Sequence, residues 1–291
     1  MEAINTWWEE AKKEVYAQRI DKGGKKFWRA SGIKLSNGHA TGPAYACFYG
    51  NGSASFAMND DRAGNRDVYA QQAGVTYLPS YHFAEGFTGE NFQTYLCLLN
   101  PNQNPVTAVV TFMVRGESPA SREVPLAPRS RTTLVVNGIV GPGKELSMRV
   151  TPREDFIVAE RPMYFNDAYM WKGGHCVLGT TSPGTTWCFA EGTTRVGFDE
   201  YLTIQNPSDS TANVEVVYLL QGGGEIPKTL HMDPHSRETV YVVGHLGRGT
   251  QNQGIDHSTL VRSDAPIVCE RPMYFVFGGW DGGHCVMGMG R

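Results

Sequence analysis

The hexapeptide Glu160-Arg161-Pro162-Met163-Tyr164-Phe165 decides the fold, because it returns unchanged as Glu270-Arg271-Pro272-Met273-Tyr274-Phe275. Four further motifs recur in the same order, at an offset of about 106 to 110 residues. They are Phe83-Ala84-Glu85-Gly86 and Phe189-Ala190-Glu191-Gly192, Tyr95-Leu96 with Asn100-Pro101 and Tyr201-Leu202 with Asn206-Pro207, Pro128-x-Ser130-Arg131-x-Thr133 and Pro234-x-Ser236-Arg237-x-Thr239, and Trp171-x-Gly173-Gly174-His175-Cys176-Val177 and Trp280-x-Gly282-Gly283-His284-Cys285-Val286. The conserved order indicates that one structural unit is duplicated.

The duplication divides the chain into a leader, residues 1–78, and two copies, residues 79–181 (copy 1) and 182–291 (copy 2). Each copy is long enough to bury a core of its own and too long for a solenoid repeat. The copies meet at Thr180–Thr185, where Ser182-Pro183-Gly184 favours a turn over a long flexible linker. We therefore expect two beads joined by a short connection.

Within a copy the apolar residues alternate with polar ones, as in a strand that buries one face. Leu202 and Ile204 share one side of their segment, and valines alternate with other residues over Asn213–Leu219. Asn-Pro pairs and many of the 34 glycines supply turns between these short segments. The pattern predicts an all-β fold in which each copy is an antiparallel β-sandwich of seven or eight strands.

The leader differs from the copies. Ile4–Ile20 is predicted to be an amphipathic helix, and Ala44–Asp60 a β-hairpin that turns at Gly50-Asn51-Gly52, so that the leader is a short α+β element. Phe56–Asp60 also resembles Met163–Asp167 in position and composition, which suggests a degenerate half repeat. We hypothesise that such a half repeat completes a sheet in another subunit.

Composition narrows the functional class. With 26 Lys and Arg residues against 29 Asp and Glu residues, the net charge is −3, which lacks the basic footprint of a general nucleic-acid binder. No run of 18 apolar residues predicts a membrane span. Charged residues from Glu2 to Glu14 interrupt the beginning of the chain, so no signal peptide is predicted there. The chain is therefore either cytoplasmic or a piece of an exported protein.

The recurring set of motifs resembles a family of uncharacterised β-sandwich repeats that occur in tandem in large exported bacterial proteins. The resemblance covers residues 79–291 and carries no catalytic residues with it. It implies two tandem immunoglobulin-like domains that act as an accessory or adhesive module, located extracellularly or at the cell surface. A cytoplasmic location stays open, because the sequence shows no signal peptide.

Charged residues inside apolar segments are the first candidate site. Such charges either bind a ligand or form an internal ion-pair network, and we favour the network because buried charges are rarely left unpaired. A catalytic interpretation lacks a nucleophile and a second placed carboxylate. The predicted structural network comprises Glu85, Arg131, Glu160, Arg161, Glu191, Arg237, Glu270 and Arg271.

Histidines and cysteines give weaker signals. His175-Cys176 and His284-Cys285 suggest a metal site, but a tetrahedral site needs three or four convergent ligands, and no further cluster recurs in both copies. No P-loop or other cofactor motif is present, so neither a metal nor a cofactor is predicted. The six cysteines form no CxxC pair, and their oxidation state stays open.

Aromatic residues are the best candidates for ligand contact. Planar rings near a sheet edge stack on sugars or anchor a protein partner, although they also fill cores. The candidate ligand-binding residues are Tyr164, Trp171, Tyr274 and Trp280.

These observations favour a non-enzymatic structural or adhesive module that binds a protein or glycan at the cell surface and assembles into oligomers or fibres. The first alternative is a carbohydrate-binding accessory module. The second alternative is an enzyme whose active site lies in the leader or at the junction of the copies.

Overall fold

The computed structural model describes residues 3–20, 33–36, 38–48, 53–61, 67–74, 78–166, 172–250 and 253–291. The fold is almost entirely β, with antiparallel pairing throughout the strands described, which confirms the all-β prediction. The chain divides into two compact units, Met1–Leu78 (unit 1) and Pro79–Arg291 (unit 2). In the described part of the chain no helix is long and apolar enough to cross a membrane.

Unit 1 contains two three-stranded sheets, β1-β2-β3 and β4-β5-β6. Its strands are β1 (Ala3–Glu9), β2 (Glu14–Ile20), β3 (Ile33–Lys34), β4 (Tyr45–Phe48), β5 (Ser53–Asp60) and β6 (Asp67–Gly74). Its buried apolar cluster consists of Val15, Ala17, Leu35, Ala40, Ala44, Phe56 and Met58. The predicted hairpin within Ala44–Asp60 is confirmed by the β4–β5 pairing, and its turn lies outside the described residues.

The helix predicted over Ile4–Ile20 is wrong. The segment forms the hairpin β1–β2, closed by a 3-10 turn at Glu10–Lys12 and by Lys13 in the left-handed region at φ 50°. Trp7 and Tyr16 face each other across this hairpin with ring centroids 5.6 Å apart. The aromatic pair across the hairpin and the burial of alternate residues on β2 favour strands. The helix prediction failed because a short segment rich in aromatic residues fits a helical period equally well.

Unit 2 repeats one set of strands twice, and each of its sheets draws its strands from a single copy. Copy 1 contains β7 (Tyr81–Phe83), β8 (Phe92–Asn100), β9 (Val106–Val114), β10 (Ala120–Leu126), β11 (Ser130–Val135), α1 (Asn137–Val140), β12 (Leu146–Pro152), β13 (Val158–Asn166) and β14 (Lys172–Leu178). Copy 2 contains β15 (Gly184–Phe189), β16 (Phe198–Asn206), β17 (Ala212–Leu220), β18 (Glu225–Met232), β19 (Ser236–Tyr241), α2 (Val242–Leu246), β20 (His257–Phe277), β21 (Trp280–Met287) and β22 (Met289–Gly290).

The two copies have matching strand orders. Copy 1 forms the sheets β10-β9-β12-β7 and β11-β8-β13-β14. In copy 2 the long strand β20 takes the place of both β12 and β13, because its first half pairs with β15 and β17 and its second half with β16 and β21. Each copy encloses an apolar core that takes residues from both of its sheets.

Pairing registers set the residue correspondence between the copies. Leu146 pairs with Val114 in copy 1, and His257 pairs with Leu220 in copy 2. The amide of Leu146 donates to the Gly86 carbonyl, as the amide of His257 does to the Gly192 carbonyl. The extra residues of copy 2 therefore lie in the loop 247–256, and Asp256 corresponds to Glu145.

A buried asparagine closes the same turn in each copy. Asn206 donates through Nδ2 to the carbonyls of Ser210 (2.8 Å) and Asp233 (2.9 Å) and accepts from the amide of Ser208 (3.1 Å). Asn100 makes the corresponding bonds in copy 1. The repeated Asn-Pro motif thus encodes a side chain that satisfies backbone groups where two strands end.

We predict that Asn206→Ala lowers the free energy of unfolding by about 2 kcal/mol, because it leaves buried carbonyls without a donor. Urea unfolding followed by fluorescence measures this loss. Asn91, which is exposed, is the matched control, and Asn91→Ala is expected to stay within about 0.5 kcal/mol of wild type. Equal effects of the two substitutions would contradict the structural role of Asn206.

Candidate functional site

The candidate site is the copy interface, where side chains of copy 2 contact copy 1. Its centre is Glu270 on β20, whose side chain is 0% exposed. One carboxylate oxygen, Oε1, accepts from the amides of Ala84 (2.8 Å) and Glu85 (3.3 Å). The other, Oε2, lies 3.0 Å from Nη1 of Arg161 and accepts from Sγ of Cys285 at 3.1 Å. Four partners therefore replace the water that this carboxylate has lost.

Arg161 on β13 is the cationic partner of Glu270 and is also 0% exposed. Its Nη1 also donates to the carbonyl of Glu85 at 2.7 Å. Burial is the largest single influence and disfavours the charged guanidinium, but Glu270, Cys285 and Glu85 together outweigh it and raise the pKa of Arg161 above its ordinary value. The guanidinium therefore stays charged in the interior.

A second ion pair lies beside the first. Nη2 of Arg237 on β19 lies 3.1 Å from Oε2 of Glu85, and Nη1 of Arg237 contacts Oε2 of Glu145. Burial raises the pKa of Glu85, although Arg237 and Arg161 oppose that effect. Burial also acts to raise the pKa of Glu145. A 2.6 Å hydrogen bond from Thr239 and the charge of Arg237 have the opposite effect, and the pKa of Glu145 lies below its ordinary value.

Neutral polar groups extend the interface along β7, β12 and β16. The Gln205 amide places Oε1 3.0 Å from Nδ1 of His82, and its Nε2 donates to the carbonyl of Met148 at 3.1 Å. Burial lowers the pKa of His82 to about 4. His82 is therefore neutral at pH 7, where its imidazole bonds the amide of copy 2 without a net charge.

Aromatic rings complete the interface. Tyr274 of copy 2 packs edge-on against Phe92 (5.5 Å) and Phe165 (5.1 Å) of copy 1. Phe92 and Tyr274 border a cleft of about 220 Å³ between the copies, and the carboxylates that line the cleft belong to the ion pairs described above. The cleft is lined by Glu85, Phe87, Phe92, Glu145, Tyr201, Thr203, Arg237, Thr239, Pro272 and Tyr274.

The predicted charge network is divided by the structure into three groups. Glu85, Arg161, Arg237 and Glu270 form the pairs that join the copies. Arg271 pairs with Glu191 at 2.5 Å on the open side of copy 2. The remaining two, Arg131 and Glu160, are exposed on copy 1, and Nη2 of Arg131 contacts Sγ of Cys97 at 3.1 Å. The prediction of an internal network does not specify which charges pair, and the structure shows that the buried pairs run between the copies.

Among the interface residues that are absent from the predicted site, four make polar contacts between the copies: His82, Glu145, Gln205 and Thr239. Their counterparts by position and register are Cys188, Asp256, Leu99 and Thr133, so three of the four change between the copies. A search for repeated residues therefore overlooks those three. Thr239 belongs to the repeated Pro-x-Ser-Arg-x-Thr motif, whose last residue was a usable signal.

The aromatic candidates lie in different surroundings. Trp280 is 77% exposed and Tyr164 is 56% exposed, whereas Tyr274 is only 5% exposed because it lies in the copy interface. Trp171 lies outside the described residues. Among the described candidates the exposed rings are thus Trp280, at the β20–β21 turn, and Tyr164, which packs against Tyr95 with centroids 5.9 Å apart.

In the part of the chain that the structure describes, histidines and thiols do not converge on a cation site. Within the described ranges, no group of three or more His, Cys, Asp or Glu residues is arranged to hold a metal ion. Burial lowers the pKa of His175 to about 3 and raises the pKa of the Cys269 and Cys285 thiols. Five cysteines with described side chains are free thiols: Cys97, Cys176, Cys188, Cys269 and Cys285.

Comparison with known proteins adds little. No protein-family model matches the chain, and no curated protein matches it. One solved structure that it resembles is titled "Crystal Structure of Thermotoga maritima 1070". The two are 18% identical, the match covers 38% of this chain and 96% of the other, and the TM-score is 0.34.

We predict that Glu270→Ala lowers the free energy of unfolding by about 3–5 kcal/mol, because it leaves the Arg161 guanidinium buried without a counter-ion. Glu160→Ala is the matched control, since Glu160 is the exposed counterpart of Glu270 in copy 1, and its effect is expected to be below about 0.5 kcal/mol. Guanidinium unfolding curves measure both. A small effect of Glu270→Ala would show that the pair is not essential for stability.

We predict that stability falls as the pH drops from about 6.5 towards 4. His82 takes up a proton near pH 6.5 in the unfolded chain but only at about 4 in the folded one, so between these values the unfolded state binds more protons. The slope contributed by one such group is at most about 1.4 kcal/mol per pH unit.

His82→Gln keeps an amide near Gln205 and removes the titrating group, so its pH dependence is expected to be shallower than that of wild type. Thermal unfolding over a pH series compares the two. Parallel pH profiles would contradict the assignment to His82.

Proposed function

We propose that the chain is a non-enzymatic structural or adhesive module of the cell surface or extracellular space. In this proposal each copy is a β-sandwich domain, and the copy interface holds the two domains at a fixed orientation as a rigid spacer. The observation that carries the proposal is the doubly paired charge cluster between the copies, in which Arg161 and Glu270 are completely buried.

A rigid spacer needs a joint that does not open. Where the contact between two domains is polar and hydrated, the domains are expected to move relative to each other. Here, separating the copies would expose an apolar aromatic cluster and leave the Arg161 and Glu85 charges without their partners. Breaking such a buried pair is strongly unfavourable, which supports a fixed orientation.

We call the copies immunoglobulin-like because of their two-layer arrangement of sheets, and not because of their strand order. Each copy consists of two antiparallel sheets around one core, which suits an accessory module. In the constant-type immunoglobulin arrangement the first two strands share a sheet, whereas here β7 pairs with β12. Function is therefore argued from the copy interface and not from a fold name.

Backbone amide relaxation measured on the full chain tests the rigid spacer. If the copies form one body, amides of β8 and β16 fit a single rotational diffusion tensor. Separate correlation times for copies 1 and 2 would contradict the proposal. The variant Glu270→Ala serves as the control in which loosening of the joint is expected.

A second candidate function is carbohydrate binding, which the exposed indole of Trp280 favours. Phe277, also exposed, pairs with Trp280 across the turn at Gly278 and Gly279, so two aromatic side chains meet at one end of copy 2. Such rings present flat apolar faces of the kind that stack on sugars.

We expect glycan-array binding, if carried by this turn, to be lost in Trp280→Ala and retained in Tyr164→Ala, the matched exposed aromatic of copy 1. Binding that survives in Trp280→Ala would exclude this turn as the sugar site.

A further inference from the structure

The copy interface has two halves, and each half recurs in the other copy at a position that the described interface between the copies does not cover. Copy 1 contributes Glu85, Phe87, Phe92 and Glu145 to the interface cleft. Their counterparts in copy 2 are Glu191, Thr193, Phe198 and Asp256, and all four line an open groove of about 780 Å³. We call this surface the open groove. It is the region of copy 2 that corresponds to the covered region of copy 1.

The complementary half is also duplicated. Copy 2 contributes Tyr201, Thr203, Arg237, Thr239, Pro272 and Tyr274 to the cleft, and Glu270 to the ion pair. The counterparts in copy 1 are Tyr95, Cys97, Arg131, Thr133, Pro162, Tyr164 and Glu160, which retain the residue type at every position except Cys97. Arg131, Thr133, Glu160 and Tyr164 are exposed. We call this second surface the docking face.

We propose that the docking face of one chain binds the open groove of a second copy of this chain, repeating between molecules the contact that joins copies 1 and 2 within one molecule. Such a contact is heterologous, because it uses two different surfaces, and it therefore builds open-ended arrays rather than closed dimers. The inference rests on the proposed structural function and names the partner and the surfaces.

Charge complementarity supports the proposed contact. Glu191 is 56% exposed and pairs with Arg271, while Asp256 is held by Arg195 at 2.6 Å. In the assembled interface, Arg131 would take the place of Arg237 between two carboxylates, and Glu160 the place of Glu270 beside an arginine. The groove ion pair Arg271–Glu191 would thus exchange for two intermolecular pairs of the same kind.

Some residues of the copy interface differ from their counterparts in the other copy, and these differences occur in contacting pairs. Gln205 and His82 form a polar pair in the copy interface, and the corresponding positions are Leu99 and Cys188, both exposed. The charged pair Glu238–Arg115 corresponds to Thr132 and Gln221, which are both neutral. In each case both members of the polar or charged pair are replaced, one in copy 1 and one in copy 2. At these positions the proposed contact therefore contains no residue that has lost a matching partner.

The test uses two variants that block one surface each. Arg131→Glu reverses the charge of the docking face, and Ala190→Trp fills the open groove at an exposed residue whose counterpart, Ala84, is fully buried in the copy interface. Arg122→Glu, at an exposed position on β10 outside the docking face, is the matched control. Sedimentation velocity over a concentration series reports the mass, which is 32.0 kDa for one chain.

We expect wild type and Arg122→Glu to gain mass continuously with concentration, and each blocking variant to stay at the mass of one chain. An equimolar mixture of Arg131→Glu and Ala190→Trp is expected to stop at twice that mass, since each partner retains one functional surface. Wild type that stays monomeric at all concentrations would overturn the inference, as would association that survives in either blocking variant.

The two proposals fail separately. Amide relaxation of the monomeric variant Arg131→Glu tests the rigidity of the copy interface without any assembly. A rigid monomer that never associates contradicts only the docking inference, whereas separate tumbling of the copies contradicts the proposed function itself.

Discussion

The ion pair between Arg161 and Glu270 is the constraint on which unit 2 depends. Neither charge has access to water, and each would be costly to bury alone. The compensation comes from both copies at once: the amides of Ala84 and Glu85 and the guanidinium of Arg161 belong to copy 1, while the carboxylate belongs to copy 2. The charges are therefore stable only while the copies stay together, which makes the joint a condition of the fold.

The same motif performs two roles, and its position in the duplicated chain decides between them. Glu270 is buried against copy 1, whereas Glu160, its identical counterpart, is exposed. Arg161 reaches across the copy interface, whereas Arg271 pairs with Glu191 beside the open groove. Each copy thus contributes one surface to the copy interface. The counterpart of the other copy's surface stays outside it: the docking face on copy 1 and the open groove on copy 2. This asymmetry is the structural basis for the proposed assembly.

Much of the fold is readable from the sequence, and the limits have physical causes. Alternation around Leu202 and Ile204 predicts strands because a sheet that buries one face imposes a period of two. Pattern reasoning fails at Ile4–Ile20. There Trp7 and Tyr16 form an aromatic pair across two strands, and the order of residues in so short a segment does not reveal such a pair. Pairing between distant strands decides that segment, and local preference does not.

Part of the candidate site was predictable in its residues, but its connections were not. Repetition identifies Glu85, Arg161, Arg237 and Glu270, yet every motif occurs twice, so the sequence does not distinguish a network within a copy from one between copies. His82 and Gln205 lack matching counterparts and leave no repeated signal at all. Only the packing of the copies assigns these partners.

A double-mutant cycle on Arg161→Met and Glu270→Met tests the central claim, that this pair joins the copies as one body. Each single substitution leaves an uncompensated charge in the interior and is expected to cost about 3–5 kcal/mol of unfolding free energy. The double variant places two apolar side chains at the joint and is expected to lose far less than the sum of the single variants. Additive losses would contradict the account, because they would mean that the two charges do not depend on each other.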